Sequence, residues 1–281
     1  MSKQLSKHIK TNLDKALANV GDMALKHRAK KIILGLDLQN GDEILEVGCG
    51  NGYYLNLLNR LGMNFKLTGL DNDKYSLADA VRFVSNKKVK LIYGFAEKLP
   101  FKNNSFDKIV MSEVIEHVRD EKLSLKEAFR VLKKGGILTL TTCNINYPFL
   151  WDPVNWILQH IFGIHIKAGF WAGIWNQHAR LYKKITIEKL IKEAGFKIDS
   201  SEALTGWCLP FNHYIVNFVA RLIYSRKLPK YFSSSLNKFR NDKQILSLKI
   251  IFKLVNFYDK LNDLMPRKIG VSIFVKAKKA E

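Results

Sequence analysis

Along the chain the spacing of apolar positions switches repeatedly between a period of two and a period near 3.6, and the switches fall at glycines and acidic residues. Residues 43–47 (Glu-Ile-Leu-Glu-Val) form a short apolar run that ends in Gly48-Cys49-Gly50-Asn51-Gly52, and a helical period follows through Leu58. The pattern predicts further strands over 65–70, 89–93, 108–112 and 137–142, with helices over 76–84 and 124–133. Upstream, 5–35 reads as a helical arm. Downstream, 186–194 reads as a helix closed by Gly195. Two last strands are predicted over 196–200 and 270–278, the second with Val271, Ile273, Val275 and Ala277 alternating as on a half-buried strand. Strands alternating with helices define an α/β class with a largely parallel, doubly wound sheet.

Two stretches depart from this rhythm. Residues 147–175 are crowded with Trp151, Trp156, Phe162, Phe170, Trp171 and Trp175 and read as loop plus a short helix. Residues 201–269 form an insertion before the last strand, with helices expected over 211–224 and 245–264. The second of these confines Lys249, Lys253, Asn256, Lys260 and Asp263 to a narrow stripe beside a wide apolar face. The domain reading is a helical arm at 1–40, a main domain at 41–200 and 270–281, and the 201–269 insertion as a lid or membrane-facing element.

Length and composition narrow the class. The 281 residues are 47% hydrophobic and 25% charged, a globular balance that excludes a disordered chain. The formal net charge of +21 attracts polyanions, either nucleic acid or an anionic membrane face. Cys49, Cys143 and Cys208 are too few and too scattered for a disulfide framework or a zinc site, which fits a reducing cytosol. With no signal-peptide core and no run of about 18 uncharged apolar residues, the expected location is cytoplasmic, with peripheral contact at the inner membrane face.

The chemistry concentrates at strand ends. Glycines at 48, 50 and 52 sit where a strand gives way to a helix, letting the backbone turn sharply and approach a ligand. Asp71 closes the next strand, where a carboxylate can accept from both hydroxyls of a ribose.

Ile44 to Gly52, Gly69-Leu70-Asp71, Ala96 to Phe101, Ser105-Phe106-Asp107 and Arg130 to Gly136 together resemble the successive motifs of class I S-adenosylmethionine-dependent methyltransferases. The resemblance spans about 29–144 and implies a seven-stranded, mostly parallel, Rossmann-like sheet. It implies cofactor contacts from Glu46, Gly48, Cys49, Gly50, Asp71, Asn72, Ala96, Glu97, Ser112 and Glu113. The family usually has an Asp before that Ala; here Phe95 stands, leaving adenine to backbone groups or ring contact.

The segment Ser112-Glu113-Val114-Ile115-Glu116-His117-Val118 resembles that of ubiquinone-pathway O-methyltransferases and of small-RNA 3′-terminal 2′-O-methyltransferases. Glu116, His117 and, further on, His178 are the candidate catalytic residues. Members of both groups use the two Glu and the His toward a divalent metal. Spacing i, i+3, i+4 would bring Glu113, Glu116 and His117 to one face of a helical turn, although such residues also serve without metal, and the expected set of metal ligands is none. The aromatic segment favours a hydrophobic acceptor: a quinone precursor, an isoprenoid or another lipid, methylated on oxygen. The alternatives are an RNA 2′-O-methyltransferase, which the charge allows although no RNA-binding module is visible, and a non-catalytic cofactor-binding protein, which the intact Gly48, Gly50, Gly52 and Asp71 disfavour.

Overall fold

The computed structural model describes residues 3–18, 20–84, 89–176, 178–207 and 269–280, with Phe211, Tyr214, Phe218, Phe257 and Asn262. The chain begins with α1 (Lys3–Leu17) and α2 (Met23–Gly35), then alternates through β1 (Glu43–Val47), α3 (Tyr53–Asn59), β2 (Lys66–Asp71), α4 (Lys74–Phe83), β3 (Lys90–Tyr93), β4 (Phe106–Ser112), α5 (Glu121–Val131) and β5 (Leu132–Cys143). After α6 (Pro153–Ile157) come α7 (Lys184–Glu193), β6 (Lys197–Leu204) and β7 (Ser272–Lys278). One seven-stranded sheet has the order β3-β2-β1-β4-β5-β7-β6. All pairs are parallel except those of β7, which is antiparallel to both β5 and β6. The strand order reverses between β1 and β4, so the carboxyl ends of these two strands face a crevice suited to a ligand.

Alternation within the strands explains the two layers. Leu45, Val47, Ile109, Met111, Leu138 and Leu140 pack on one face against Leu125, Ala128 and Val131 of α5 and Ile187 and Ile191 of α7. Ile44, Val110 and Phe274 point the other way, into a layer with Ile9 and Leu13 of α1, Ile32 and Leu36, and Leu55 and Leu58 of α3. With both faces covered, the strands read as nearly continuous apolar runs.

Several boundaries move, each for a local reason. The single arm over 5–35 is two helices, because the Asp22 carboxylate accepts from Leu25 N at 3.0 Å and starts a new helix there. The helix expected from 124 starts at Glu121, capped by Asp120, whose carboxylate accepts from Leu123 N at 2.9 Å. The fifth strand already pairs at Leu132 with Phe106, and the left-handed Gly135 lies within an irregular start before regular pairing resumes at Lys108 and Ile137. The aromatic stretch folds as α6, a π-helical turn at Leu158–Phe162 and a 3-10 helix at Phe170–Trp175. The helices expected over 211–224 and 245–264 lie outside the described residues. Among the described residues no helix is long and apolar enough to cross a membrane.

Candidate active site

β1 delivers the chain to a loop folded onto the end of β2: Gly48 N and Cys49 N both donate to Leu70 O, at 2.7 and 3.0 Å. Gly48, Gly50 and Gly52 have φ of 69°, 50° and 78°, a region that side chains with a Cβ rarely enter. Their reasons differ. A Cβ on Gly48 would lie 2.4 Å from Val114 Cγ2, whereas one on Gly50 would meet nothing within 4 Å. Gly48 is therefore needed for packing, and Gly50 leaves open space beside Asp71. Gly48→Ala should lower the melting temperature by roughly 4–6 °C, as expected for about 2 kcal/mol in a chain of this size. Adding Val114→Ala should recover part of it, since only the steric share is relieved; thermal denaturation of both variants checks this.

Asp71 organises the same loop. One carboxylate oxygen accepts from Gly50 N at 2.7 Å and the other from Asp73 N at 2.8 Å. A carboxylate has about four lone-pair sites, so both oxygens can still accept from a pair of hydroxyls. Glu46 lies beneath the loop, 3% exposed, accepting from Leu55 N at 3.1 Å. Burial pushes its carboxyl well above the usual range, and its bond to Leu55 N anchors the start of α3. Asn72 is exposed and Ala96 buried. Glu97 accepts from Arg119 N at 2.9 Å, and the backbone of Leu99 and Phe101 is pinned by Arg130, itself forked onto Glu127.

At the end of β4 the Ser112 hydroxyl lies 2.9 Å from both Tyr54 Oη and Thr141 Oγ1. Glu113 follows with φ 55°, and the chain then turns tightly, with His117 N donating to Val114 O at 2.9 Å. The helical turn expected here does not form, because a left-handed residue at its start is incompatible with helix. No helical face therefore holds Glu113, Glu116 and His117 together, although the charge of Glu113 still acts on Glu116. Glu116 is fully buried and accepts from Thr142 Oγ1 at 2.9 Å, while His117 is exposed, its ring 4.8 Å from that of His178.

A different grouping replaces the expected one: ligand atoms of Glu116, Cys143 and His178 lie within 4.8 Å of one another. His178 Nδ1 contacts Ile174 O, and its Nε2 is 3.9 Å from Cys143 Sγ. The Cys143 thiol donates to Glu113 Oε2 at 3.1 Å. Burial, then the charge of Glu113, pushes Glu116 up to about 8; the same two causes raise the Cys143 thiol well above its ordinary range. Arg28 reaches into this cluster from α2, 3.6 Å from Glu113 Oε2 and donating to Ser272 Oγ at 3.1 Å. Burial opposes its charge, but Glu113 and Asp22 outweigh that and hold the guanidinium protonated. Among the described residues Arg28 Nε, Glu113 Oε1 and Glu116 Oε1 are buried with no hydrogen-bond partner.

Arg28 and Tyr54 were not foreseen from sequence. Asp152 was not foreseen either: fully buried, it accepts from Asn155 N, Asn155 Nδ2, Ile174 N and Tyr214 Oη. It ties the aromatic segment to the start of the insertion. Trp151 and Trp175 are buried there, while Ile161, Phe162, Ile164 and Trp171 are each more than half exposed.

The family described as "Methyltransferase domain" matches residues 45–140. An uncharacterized protein of Methanocaldococcus jannaschii is 31% identical over 195 residues, 68% of each chain. The demethylmenaquinone methyltransferase of Staphylococcus aureus is 33% identical over 111 residues, 39% of this chain and 46% of that enzyme, so the likeness spans under half of the relative. Among solved structures, a phosphoethanolamine N-methyltransferase of Haemonchus contortus in complex with S-adenosyl-L-methionine superposes with a TM-score of 0.58 at 18% identity, covering 96% of this chain and 57% of that one. A methyltransferase of Thermotoga maritima covers 98% of both chains with a TM-score of 0.53 at 17% identity. The fold and the glycine–carboxylate site define a nucleoside-cofactor transferase, and the chain belongs to the class I S-adenosylmethionine-dependent methyltransferases. It is an enzyme of that family, and the open side of Gly50 beside the half-exposed Asp71 fits the cofactor's nucleoside.

Proposed function

We propose that this methyltransferase modifies an oxygen of a hydrophobic acceptor, such as a quinone precursor, an isoprenoid or a related lipid, working at the face of an anionic membrane. The observation that carries the reading is the aromatic segment around Trp151, Trp171 and Trp175, which begins directly after β5 and is joined through Ile174 and His178 to the buried Glu116–Cys143 pair. An apolar pocket wall with a few convergent polar groups is the usual form of a small-molecule site. The partial likeness to a demethylmenaquinone methyltransferase supports the same substrate class.

Bound S-adenosylmethionine supplies an electrophilic methyl on sulfur; the chain's own part is alignment and proton handling. Asp71 and the backbone of Gly48 to Gly50 would hold the donor, with Asn72, Ala96 and Glu97 placed to meet its base and Ser112 and Glu113 its amino-acid end. Glu116 takes the acceptor's proton, and His178, oriented by Ile174 O, relays it outward past His117. The buried surroundings keep water from competing.

The Glu116–Cys143–His178 group also has the span of a divalent-cation site. Its charge argues otherwise: Arg28 neutralises Glu113, Glu116 is pushed up to about 8, and the Cys143 thiol is raised further, leaving little net negative charge to hold a cation. Activity is therefore expected to survive exhaustive chelation with EDTA; collapse on chelation and recovery with Mg²⁺ would assign the cluster to a metal instead. The deciding experiment for the acceptor is incubation with labelled methyl donor and separate lipid and RNA extracts. Label in the lipid fraction is expected. Label in RNA alone would favour the 2′-O-methyltransferase reading, which the +21 charge supports.

A further inference from the structure

The order of the strands fixes which end of the donor meets which strand. The reacting groups Glu116 and His178 gather at the ends of β4 and β5, the glycine loop at β1 and the ribose carboxylate Asp71 at β2. With the donor laid in that order, its purine would fall on the far side of the ribose, over the end of β3. That end is held close to Asp71: Tyr93 is its register partner, and Gly94 N donates to Asp71 O at 3.0 Å.

What surrounds this position is aromatic. Tyr93 and Phe95 are 48% and 46% exposed and pack edge-to-face with centroids 5.9 Å apart, and the Lys74 ammonium lies 5.2 Å from the Tyr93 ring centre. Each nearby carboxylate is already held by a donor of the chain. Asp71 is turned to Gly50 and Asp73, Asp73 caps α4 through Tyr75 N and Ser76 N, and Glu97 is taken by Arg119 N. Asn72 is a neutral amide, which offers a donor and an acceptor and so reads a 6-amino and a 6-oxo base alike.

We infer that this chain holds the donor's purine by ring contact at Phe95 and Tyr93 and does not read the substituent at its 6-position. This rests on the methyltransferase reading and adds a specificity to it. A site with a charged acceptor at the 6-position favours a 6-amino base by about 10- to 150-fold, the value of one hydrogen bond to a charged group. It also rejects a 6-oxo base, whose oxygen faces the carboxylate with no proton between them. Here neither effect should operate.

Isothermal titration of the full chain with S-adenosyl-L-homocysteine and with S-inosyl-L-homocysteine, its 6-oxo counterpart, tests this without turnover. The two dissociation constants are expected to agree within about threefold, well under one charged hydrogen bond. Phe95→Ala should weaken both ligands alike, and Phe95→Asp should create a preference for the 6-amino base of about tenfold or more. A wild-type preference of that size for S-adenosyl-L-homocysteine would overturn the inference while leaving the methyltransferase reading intact. Failure of the wild-type chain to bind either ligand would instead remove the reading beneath it.

Discussion

Asp71→Ala is expected to weaken S-adenosyl-L-homocysteine binding by about two orders of magnitude or more, measured by titration calorimetry. Two hydroxyl bonds to a charged acceptor are lost together, each worth about 1.5–3 kcal/mol. Gly50 N and Asp73 N lose their acceptor in the same step, so the loop loosens as well. Asp71→Asn keeps the shape and one acceptor oxygen and should fall between, with a loss of about tenfold. Glu46→Gln makes the contrast: burial raises the Glu46 carboxyl, and the bond it accepts from Leu55 N is one a glutamine oxygen can replace. Its effect on affinity should be small. Unchanged affinity in Asp71→Ala would remove this residue from the cofactor site.

The second large effect belongs to Glu116. A positioned proton acceptor contributes about 10²–10⁴ in rate, so Glu116→Gln should cut kcat by that order. In the wild-type protein kcat should climb with pH as the carboxyl loses its proton around 8, and this limb should vanish in the variant. Stability should move the opposite way. The carboxyl is raised from 4.5 to about 8 on folding, so its favourable contribution is complete below pH 4.5 and is lost as pH rises through 8. Glu116→Gln removes that loss and should melt higher than the wild type at alkaline pH. A variant that retains its rate would show that Glu116 carries no proton in the reaction, and one whose melting temperature falls in parallel with the wild type would show that folding does not raise this carboxyl.

The cofactor half of the site was legible because its determinants are local. A strand, a glycine turn and an acidic residue ending the next strand lie within about 30 residues of sequence, and each needs a residue type that few others replace. The alternating strands were equally plain, since both faces of the sheet are buried. The reaction cluster was less so. The spacing of Glu113, Glu116 and His117 fits one helical turn, and nothing in the letters announces that Glu113, a non-glycine, takes a left-handed conformation. Arg28 sits in a lysine-rich helix, and nothing in the letters separates it from its neighbours until α2 is laid against β7 and its guanidinium reaches Ser272 and Glu113. Asp152 looks like an ordinary N-cap and does serve as one, but its second task, gathering Ile174 and Tyr214, depends on contacts 22 and 62 residues away. Helix starts moved for a simpler reason: Asp22 and Asp120 cap from positions the apolar period does not mark.

The antiparallel β6–β7 ladder closes at Leu204 opposite Ser272, and just beyond it Val271 N donates to Thr205 O at 3.2 Å. The whole 205–271 stretch therefore leaves and rejoins the sheet at two points one strand spacing apart, about 5 Å. Such a junction makes the stretch an exchangeable cassette. A short turn, or the corresponding stretch of a relative, can be spliced between the same two residues without altering the strand order or disturbing the nucleoside site on the opposite half of the sheet.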